Sequence, residues 1–502
     1  MSKTVDFNGK PFHFIGIGGI GMSALAYVLA KRQLPVSGSD LRSTHITQRL
    51  QAVGAHIFSS QEANNLEFFQ KTEQRIYETI TESIDTASRM SSSASASTCL
   101  ELAQNLPQVI CSTAINANNS EYRSAHERGY PIFHRSDVLA ALIQDYQSIA
   151  VAGTHGKTTT SSLIGYLLLE AGLDPTVVVG GEVSAWNGNA RLGEGKWLVA
   201  EADESDGSLA KLSPTIGVIT NIELDHPDHY QNLDEVINTF DVFVKQCTIL
   251  VGCIDCPTLA TTFKPDISYS LTPETDADYS VREVQYHAWG TIAQVWERGQ
   301  LLGTMKLKLL GQHNLANALA AVAVGRKLGL DFETIASALE GFEGAKRRFE
   351  HRGEAGGIVF VDDYAHHPSE LRATLAAARL RVNEWQKHRQ GRLVAIFQPH
   401  RYSRTLTFQD EFAKAFADAD LVILTEIYSA GEANSGQING QKLAAAIAEH
   451  HPEVFYQESL PQLINLLLQT LQPGDLALFL GAGNLNQVIP DLIQSYTAAS
   501  TT

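Results

Sequence analysis

The stretch Val151-Ala152-Gly153-Thr154-His155-Gly156-Lys157-Thr158-Thr159-Thr160 decides how the chain is organised. The apolar run 148–151 predicts a short buried strand, and apolar residues at helical spacing in 161–171 predict a helix. A glycine turn between such elements aims backbone N–H groups and a lysine at a polyphosphate, and the next hydroxyl suits Mg2+. Although Val151 replaces the first glycine of the usual pattern, we favour a nucleoside triphosphate site over an ordinary turn. Its predicted residues are Gly153, Thr154, His155, Gly156, Lys157, Thr158 and Thr159.

Length and composition indicate the number of domains and the classes of partner. A chain of 502 residues predicts about three domains. The net charge of −17 argues against a nucleic-acid surface, so anionic ligands must meet local basic clusters. No apolar run is long enough to span a bilayer, and residues 1–10 lack a secretory apolar segment. We therefore expect a cytoplasmic protein with no nucleic-acid or membrane partner.

Cysteine usage agrees with that compartment. The five cysteines are scattered, and only Cys253 and Cys256 form a C-x-x-C pair. No second pair completes a zinc site, so we predict reduced thiols, with metal binding as the alternative.

A second glycine turn lies near the start of the chain. A strand-like run at 11–15 leads into Gly16-Ile17-Gly18-Gly19-Ile20-Gly21, then a helix at 24–32 and a strand that ends at Asp40. This order is the dinucleotide fingerprint, in which the acidic residue binds a ribose hydroxyl. The same geometry serves any diphosphate, and Asp40 could instead cap a helix.

The signal weakens between residues 61 and 106, where the serine-rich run 91–98 predicts a flexible connection. A strand at 108–115 follows, and a strand at 131–136 carries Arg135, a candidate anion contact. We place a domain boundary near Asp145.

Acidic side chains follow two strands of the central region. The strand 197–200 ends in Glu201-Ala202-Asp203-Glu204-Ser205-Asp206, where four clustered carboxylates predict Mg2+ rather than a solvated loop. The strand 214–220 ends close to His226, which is either a ligand of a second metal ion or a helix cap. Farther on, polar residues at 313, 314 and 317 open an alanine-rich helix and could lie at the edge of an adenine ring.

The last third repeats this order. After a basic hinge at 344–350, the strand 358–361 ends in Asp362-Asp363-Tyr364-Ala365-His366-His367-Pro368. The strand 393–397 ends in Gln398-Pro399-His400-Arg401-Tyr402-Ser403-Arg404, a positive pocket suited to a carboxylate or phosphate. Repeated strand, site and helix predict an α/β protein with doubly wound sheets in three domains, at 1–145, 146–349 and 350–502.

Taken together, the motifs resemble the Mur ligase family over nearly the whole chain. They occur in the family's order: the turn 16–22, the loop 153–158, the acidic run 201–206, Asp225-His226, His313-Asn314, Arg347-Arg348-Phe349-Glu350, the run 363–368 and the run 398–404. The resemblance implies a Rossmann-like UDP-binding domain, a P-loop-type ATP-binding domain and a Rossmann-like C-terminal domain that binds the amino acid.

The resemblance also implies a reaction, in which ATP and Mg2+ drive ligation of L-alanine to the carboxylate of UDP-N-acetylmuramate. An acyl phosphate forms first and the amine then displaces phosphate, as a step of peptidoglycan precursor synthesis. We expect hinge motion to bring the three domains together, and a monomer or weak homodimer.

Residue roles follow from the same resemblance. The UDP contacts would be Gly16, Gly18, Gly19, Ile20 and Gly21, with Asp40 and Arg135. Metal ligands would be Thr158, Glu201 and His226. ATP would also meet Asn314, Arg348 and Asp363. Around the alanine and the reacting carboxylate would lie Tyr364, His366, His400, Arg401 and Arg404. The catalytic group would be Lys157, His226, His366, Arg401 and Arg404.

Three departures and three alternatives accompany this interpretation. The segment 61–106 is longer than its equivalent in the family. Lys245 is the lysine nearest to a position that other members carbamylate, so we predict no carbamylated lysine in this chain. Asn484 stands where aspartate is commoner. The alternatives are a ligase that accepts a murein tripeptide, an NAD-dependent dehydrogenase built on the first glycine turn, and a regulatory ATP-binding protein without catalysis.

Overall fold

The computed structural model describes residues 4–70, 106–386 and 391–500, which build three β-sheets in chain order. The predicted serine-rich connection at 91–98 lies outside this part of the chain. No helix in the described ranges is both long and apolar enough to cross a membrane.

The first sheet has five parallel strands in the order β3-β2-β1-β4-β5, the arrangement of a dinucleotide-type fold. Its strands are β1 Phe12–Ile15, β2 Val36–Ser39, β3 His56–Phe58, β4 Gln108–Cys111 and β5 Ile132–His134. Its helices are Ile20–Lys31, His45–Ala52, Ser120–Glu127 and Arg135–Asp145, with a 3-10 turn at Ala63–Glu67. The first helix begins at Ile20 rather than at the predicted 24, because the glycine turn passes directly into it.

The second sheet has ten strands in the order β15-β14-β13-β12-β11-β10-β6-β9-β7-β8. The seven strands from β13 to β7 run parallel, and β14, β15 and β8 pair antiparallel at the two sides. The strands are β6 Gln147–Ala152, β7 Thr176–Val183, β8 Gly188–Arg191, β9 Trp197–Glu201, β10 Ile216–Ile219, β11 Ile249–Cys253, β12 Ile267–Ser270, β13 Tyr279–His287, β14 Gly290–Glu297 and β15 Gln300–Leu307.

Helices cover this central sheet and fix the phosphate loop. They are Lys157–Glu170, Leu233–Gln246, Pro257–Thr262, Gln312–Lys327 and Phe332–Gly341, with 3-10 turns at Ser184–Trp186 and Ser208–Lys211. The helix after the loop begins at Lys157, four residues before the predicted start. Since β6 lies between β10 and β9, the loop that follows β6 meets the polar ends of both neighbours.

The third sheet has six strands in the order β16-β17-β21-β18-β19-β20, of which only β16 pairs antiparallel. Its strands are β16 Glu350–Ala355, β17 Ile358–Asp363, β18 Leu393–Phe397, β19 Leu421–Thr425, β20 Val454–Gln457 and β21 Leu476–Leu480. Its helices are Pro368–Gln386, Tyr402–Thr407, Gln409–Ala413, Gly440–Ala448, Leu460–Thr470 and Ile489–Ser500, with a 3-10 turn at Leu485–Val488. Every residue of β18, β19 and β21 is buried, which explains their unbroken apolar sequences.

Candidate functional site

The phosphate loop takes its shape from two glycines in backbone conformations that L side chains rarely adopt. Gly153 has φ +136° and Gly156 has φ +79°. A Cβ on Gly153 would lie 2.0 Å from Oγ1 of Thr220, and one on Gly156 would lie 2.6 Å from Oδ1 of Asn317. Val151 lies inside β6 and is fully buried, so the turn begins two residues later than in the usual pattern.

The end of β10 anchors this loop. Asn221 accepts a hydrogen bond from the backbone N–H of His155 at 2.8 Å, and its own carbonyl accepts one from the N–H of Thr154 at 3.0 Å. The hydroxyl of Thr220 donates to the carbonyl of His155 at 2.6 Å. The loop is therefore held in shape by its neighbours rather than by its own sequence alone.

Lys157 points back into the loop and is paired there. Its Nζ donates to the carbonyl of Gly153 at 2.6 Å and to Oε1 of Glu204 at 2.9 Å. Burial opposes the charge on the lysine, but Glu204 and Asp203 overcome it and raise the pKa of Lys157. Burial likewise raises the pKa of Glu204 to about 7, against the pull of Lys157. A lysine in this position can reach a polyphosphate by exchanging one anionic partner for another.

Three carboxylates of the acidic run after β9 have protein cations as partners. Glu204 pairs with Lys157 at 2.8 Å, and Asp203 pairs with Arg135 at 2.7 Å, with Asp206 3.5 Å from the same guanidinium. Protein cations therefore lie beside these three carboxylates, and Mg2+ binding by the acidic run stays a prediction. Glu201 is left as the carboxylate of this run available to a metal ion.

Thr158 and Glu201 form a compact set of oxygen donors beside the loop. The hydroxyl of Thr158 donates to Oε1 of Glu201 at 3.0 Å, and Oε2 accepts a hydrogen bond from the N–H of Gly180 at 2.6 Å. Hard oxygen ligands of this kind suit Mg2+, which retains several waters and needs few protein groups. The pair fits the ion that the family resemblance implies.

His226 lies farther along the same edge. Its Nε2 is 3.7 Å from Oε1 of Glu204 and 3.7 Å from Oδ2 of Asp225. Burial lowers the pKa of His226, so the neutral ring keeps a lone pair for a ligand. It does not cap a helix: the next helix begins at Leu233 and its cap is Asn232.

In the first domain, Asp40 holds the glycine turn. Its Oδ2 accepts a hydrogen bond from the N–H of Gly18 at 2.9 Å, and a Cβ on Gly18 would lie 2.7 Å from that oxygen. Thr44, not Asp40, caps the following helix. Gly16 has φ +77° and Gly19 is the cap residue of the first helix, so the turn presents the start of that helix as an anion site.

Arg135 and Ile20 complete this first-domain group. The Nη1 of Arg135 lies 3.5 Å from where a Cβ on Gly21 would be, so the guanidinium is beside the glycine turn. Its ion pair with Asp203 links the first domain to the central one. Ile20 is 39% exposed at the start of the helix. The proposed contacts of these residues with a ligand stay predictions.

Beyond β17, an aromatic group surrounds His366. Its Nδ1 donates to the carbonyl of Tyr364 at 2.9 Å, and its ring lies edge-on to those of Tyr364 and His400, with centroids 5.4 and 5.8 Å away. Burial lowers the pKa of His366 to about 4. The ring is neutral near pH 7 with its proton on Nδ1, which leaves the Nε2 lone pair able to accept a proton.

Two arginines reach from the third domain to the central one. The Nε of Arg404 donates to Oδ1 of Asp225 at 2.7 Å, and its Nη1 contacts Nδ1 of His400 at 3.2 Å. Nη1 of Arg401 is 3.1 Å from both Asp228 and Glu432. Arg401 has φ +71°, a strained conformation for a residue with a side chain. The two arginines are paired with carboxylates of both domains, and the positive pocket suited to a carboxylate or phosphate stays a prediction.

The three predicted ATP contacts outside the loop differ in their surroundings. Arg348 places Nη2 3.5 Å from the hydroxyl of Thr158, so it does reach the phosphate loop. Asp363 instead accepts hydrogen bonds from the N–H groups of Phe349 and Ala365 at 2.7 and 2.8 Å, which fixes the chain where it enters the third domain. Asn314 donates to the carbonyl of Leu310 at 2.8 Å, and its side chain is buried.

Sequence reasoning missed several contacts that shape the site. Glu204 was predicted only as one of four carboxylates for Mg2+, yet it pairs with Lys157. Residue 317 was predicted only at the edge of an adenine ring, yet the Asn317 side chain lies so close to Gly156 that a Cβ there would clash with it. Glu370 and Glu432 were passed over, and both contact predicted site residues. An acidic residue in the first turn after His366-His367-Pro368 was a usable signal for Glu370, because it caps the turn before it.

One further group has metal-ligand chemistry. Among the described residues, His155, Glu223 and His367 place one possible ligand atom each within 4.8 Å of the others. The two ring nitrogens of His155 lie 3.3 Å from Glu370 and 3.5 Å from Glu223. These two carboxylates raise the pKa of His155 to about 9 although burial opposes it, so the charged ring is favoured between them.

These three sheets and this interdomain site define an ATP-dependent ligase of the Mur type, and the comparisons with known proteins agree. The model described as "Mur ligase family, catalytic domain" matches residues 11–147, "Mur ligase middle domain" matches 151–325, and "Mur ligase, glutamate ligase domain" matches 347–483. The chain belongs to the Mur ligase family.

Individual relatives match along the whole chain. UDP-N-acetylmuramate--L-alanine ligase of Gloeothece citriformis is 66% identical over 99% of this chain and 100% of its own length. The ligase of the same name from Nostoc punctiforme is 65% identical over 99% of this chain and 98% of its own length. The crystal structure of UDP-N-acetylmuramate-alanine ligase from Thermotoga maritima is 28% identical, covers 98% of this chain and 99% of its own, and has a TM-score of 0.77.

A murein peptide ligase structure from Psychrobacter arcticus also has the same fold. It is 21% identical, covers 97% of this chain and 99% of its own, and has a TM-score of 0.66. Family membership removes the dehydrogenase interpretation of the first glycine turn.

Proposed function

We propose that this chain joins L-alanine to the carboxylate of UDP-N-acetylmuramate, at the expense of ATP, in peptidoglycan precursor synthesis. The observation that carries the proposal is the meeting of two groups at one interface: the phosphate loop with Lys157, and the His366 and Arg404 group of the third domain. Relatives that share about two thirds of the sequence over the full length carry the name of that ligase.

The nucleotide side belongs to the central stretch 146–349. The loop N–H groups and Lys157 bind the phosphates of ATP, and Thr158 with Glu201 would hold Mg2+. When bound, this ion would neutralise the charge that develops on the transferred phosphoryl group. Arg348 supports the same phosphates from the hinge before the third domain, since its guanidinium already reaches Thr158.

The acceptor side lies in the stretch 350–502, with UDP held by the first stretch, 1–145. The muramate carboxylate attacks the γ-phosphorus and ADP leaves, which gives the acyl phosphate. The alanine nitrogen then attacks the acyl carbon and phosphate leaves. Nε2 of His366 accepts a proton from the alanine ammonium, and Arg401 and Arg404 stabilise the carboxylate and phosphate charges. This role is supported by the hydrogen bond from Nδ1 to the carbonyl of Tyr364, which leaves Nε2 without a proton.

The tripeptide-accepting ligase is the second candidate, because it would use the same fold and the same chemistry. The murein peptide ligase structure from Psychrobacter arcticus, at 21% identity, shows only that the fold is shared. A regulatory protein without catalysis is less well supported, since the neutral His366 ring lies beside His400, which contacts Arg404. We further propose that the protein acts as a monomer or weak homodimer.

Phosphate release tests this proposal. The enzyme is incubated with ATP, Mg2+ and UDP-N-acetylmuramate, and L-alanine is compared with glycine, L-serine and the murein tripeptide. Release that depends on L-alanine supports the proposal. Release that depends only on the tripeptide assigns the chain to the recycling reaction, and ATP binding without release under any condition favours the regulatory protein.

A further inference from the structure

Glu370 lies in the first turn of the helix Pro368–Gln386 and joins groups from two domains. Its Oε2 accepts hydrogen bonds from the backbone N–H groups of His366 at 3.0 Å and His367 at 3.3 Å. Its Oε1 lies 3.3 Å from Nδ1 of His155, in the phosphate loop of the central domain. The side chain is only 12% exposed, so water does little to screen these contacts.

His155 meets a second carboxylate on its other side. Its Nε2 lies 3.5 Å from Oε2 of Glu223, which also accepts a hydrogen bond from the hydroxyl of Ser369 at 2.7 Å. A neutral imidazole has one N–H, so only the protonated ring can donate towards both carboxylates. The ring of His367 packs against it with centroids 4.7 Å apart, and burial keeps His367 neutral by lowering its pKa to about 4.

The same carboxylate of Glu370 also faces the acceptor side. Nδ1 of His366 is 3.3 Å from Oε2, and Nη1 of Arg348 is 4.0 Å from Oε1. Glu370 is thus surrounded by His155 from the loop, Arg348 from the hinge and His366 from its own domain. No other described contact joins these three groups through one side chain.

We propose that Glu370 is a positioning residue that ties the phosphate loop to the acceptor-side histidine, so that both halves of the site adopt their working arrangement together. The inference rests on the proposed function and deepens it. Glu370 does not contact a substrate in this account; it acts through protonated His155 and through Arg348. A charge at this point aligns the loop that binds ATP with the ring that receives the alanine proton.

Glu370→Gln tests the inference with little disturbance of the fold. The amide oxygen still accepts the N–H groups of His366 and His367, so the helix start keeps its cap, and only the negative charge is lost. We expect kcat for alanine-dependent phosphate release to fall at least tenfold, with a KM for ATP changed less than threefold. Glu449→Gln, an exposed glutamate of the third domain, is the matched control and keeps the wild-type rate.

Two readouts separate positioning from a general loss of structure. Removing one carboxylate lowers the pKa of His155, so the alkaline limb of the kcat profile moves to lower pH by about one unit in Glu370→Gln. In a His155→Asn background, Glu370→Gln has less than a threefold further effect, because the two residues act as one unit. A wild-type pH profile, or full multiplicative effects in the double variant, overturns the inference.

The wild-type enzyme separates this inference from the proposed function. Alanine-dependent release by the wild type together with a wild-type rate in Glu370→Gln rejects the positioning role alone. Silence of the wild type with every amine rejects the proposed function itself.

Discussion

Arg404 donates a hydrogen bond of 2.7 Å to Asp225 across the junction of the central and third domains, and the two side chains are 1% and 5% exposed. The Arg404 guanidinium keeps the pKa of Asp225 well below its usual range although burial opposes it. An ion pair this deeply buried fixes the relative positions of the two residues. The pair therefore orients an arginine of the proposed acceptor site from the domain that binds the nucleotide.

Asp225→Asn leaves the Arg404 charge buried without its partner. Breaking a buried pair in this way costs about 3 kcal/mol or more, so we expect the midpoint of thermal unfolding to fall by roughly 5 °C and kcat to fall at least tenfold. Calorimetry and phosphate release measure the two effects. Asp241→Asn, which removes the partner of exposed Lys245, is the control, and equal behaviour of the two variants contradicts the account.

Lys157→Ala removes the lysine that the phosphate loop holds against Glu204. We expect phosphate release to fall by a factor of about 10² to 10³, the usual scale for loss of one charge that stabilises the transition state. Lys245→Ala is the matched control, because that lysine is 71% exposed and pairs only with Asp241 among described residues. Turnover by Lys157→Ala near the wild-type rate would remove the loop as the site of phosphoryl transfer.

Gly153→Ala places a Cβ 2.0 Å from the hydroxyl of Thr220, at a φ of +136°. Because the loop must shift to relieve this contact, we expect the KM for ATP to rise at least tenfold. Gly172→Ala also has a positive φ, +72°, but a Cβ there meets nothing within 4 Å. Gly172→Ala is therefore the control for backbone strain without a clash. Equal KM values for the two variants would show that the clash at Gly153 has no consequence.

The contacts of His155 predict a pH dependence of stability. The nearby carboxylates of Glu223 and Glu370 raise its pKa from 6.5 to about 9 against burial, so the folded state binds this proton more tightly than the unfolded state. The contribution is fully present below about pH 6.5 and is lost as pH rises through about 9, with a scale of about 3 kcal/mol.

The unfolding midpoint of the wild type should therefore decline between about pH 7 and 9. In Glu223→Gln the decline is shallower, since one of the two carboxylates that favour the proton is gone. Glu343→Gln, an exposed glutamate of the central domain, should follow the wild type. A Glu223→Gln curve parallel to the wild-type curve contradicts the assignment.

The sequence predicted the fold class, and predicted polar groups after the strands, because both depend on local pattern. Apolar strands such as β9, β17 and β18 lead directly into polar residues, and parallel strands bring those ends to one edge. The turn at Gly153 and Gly156 could likewise be predicted, since a tight turn needs the positive φ angles that glycine adopts.

Ion pairs between residues far apart in the sequence could not be predicted. Lys157 and Glu204 are 47 residues apart, and His155 and Glu370 belong to different domains. Their pairing depends on how sheets and domains dock, which no spacing rule encodes. The protein cations beside the acidic run after β9, Lys157 and Arg135, likewise come from elsewhere in the chain.

Asn484, which stands where aspartate is commoner in the family, hydrogen-bonds to a residue of the same sheet edge. Its Oδ1 accepts a hydrogen bond from Nε2 of Gln398 at 3.1 Å, and Oε1 of Gln398 accepts one from its backbone N–H at 3.0 Å. An aspartate could accept the same amide hydrogen. The contact that joins the ends of β18 and β21 is therefore open to either residue.

The most direct test of the central claim is release of phosphate from ATP and Mg2+ by the wild-type protein with UDP-N-acetylmuramate, with and without L-alanine. The account predicts release that requires both UDP-N-acetylmuramate and L-alanine, with one phosphate formed for each amide bond. Release with the murein tripeptide but not with L-alanine, or no release from a protein that binds ATP, would contradict it.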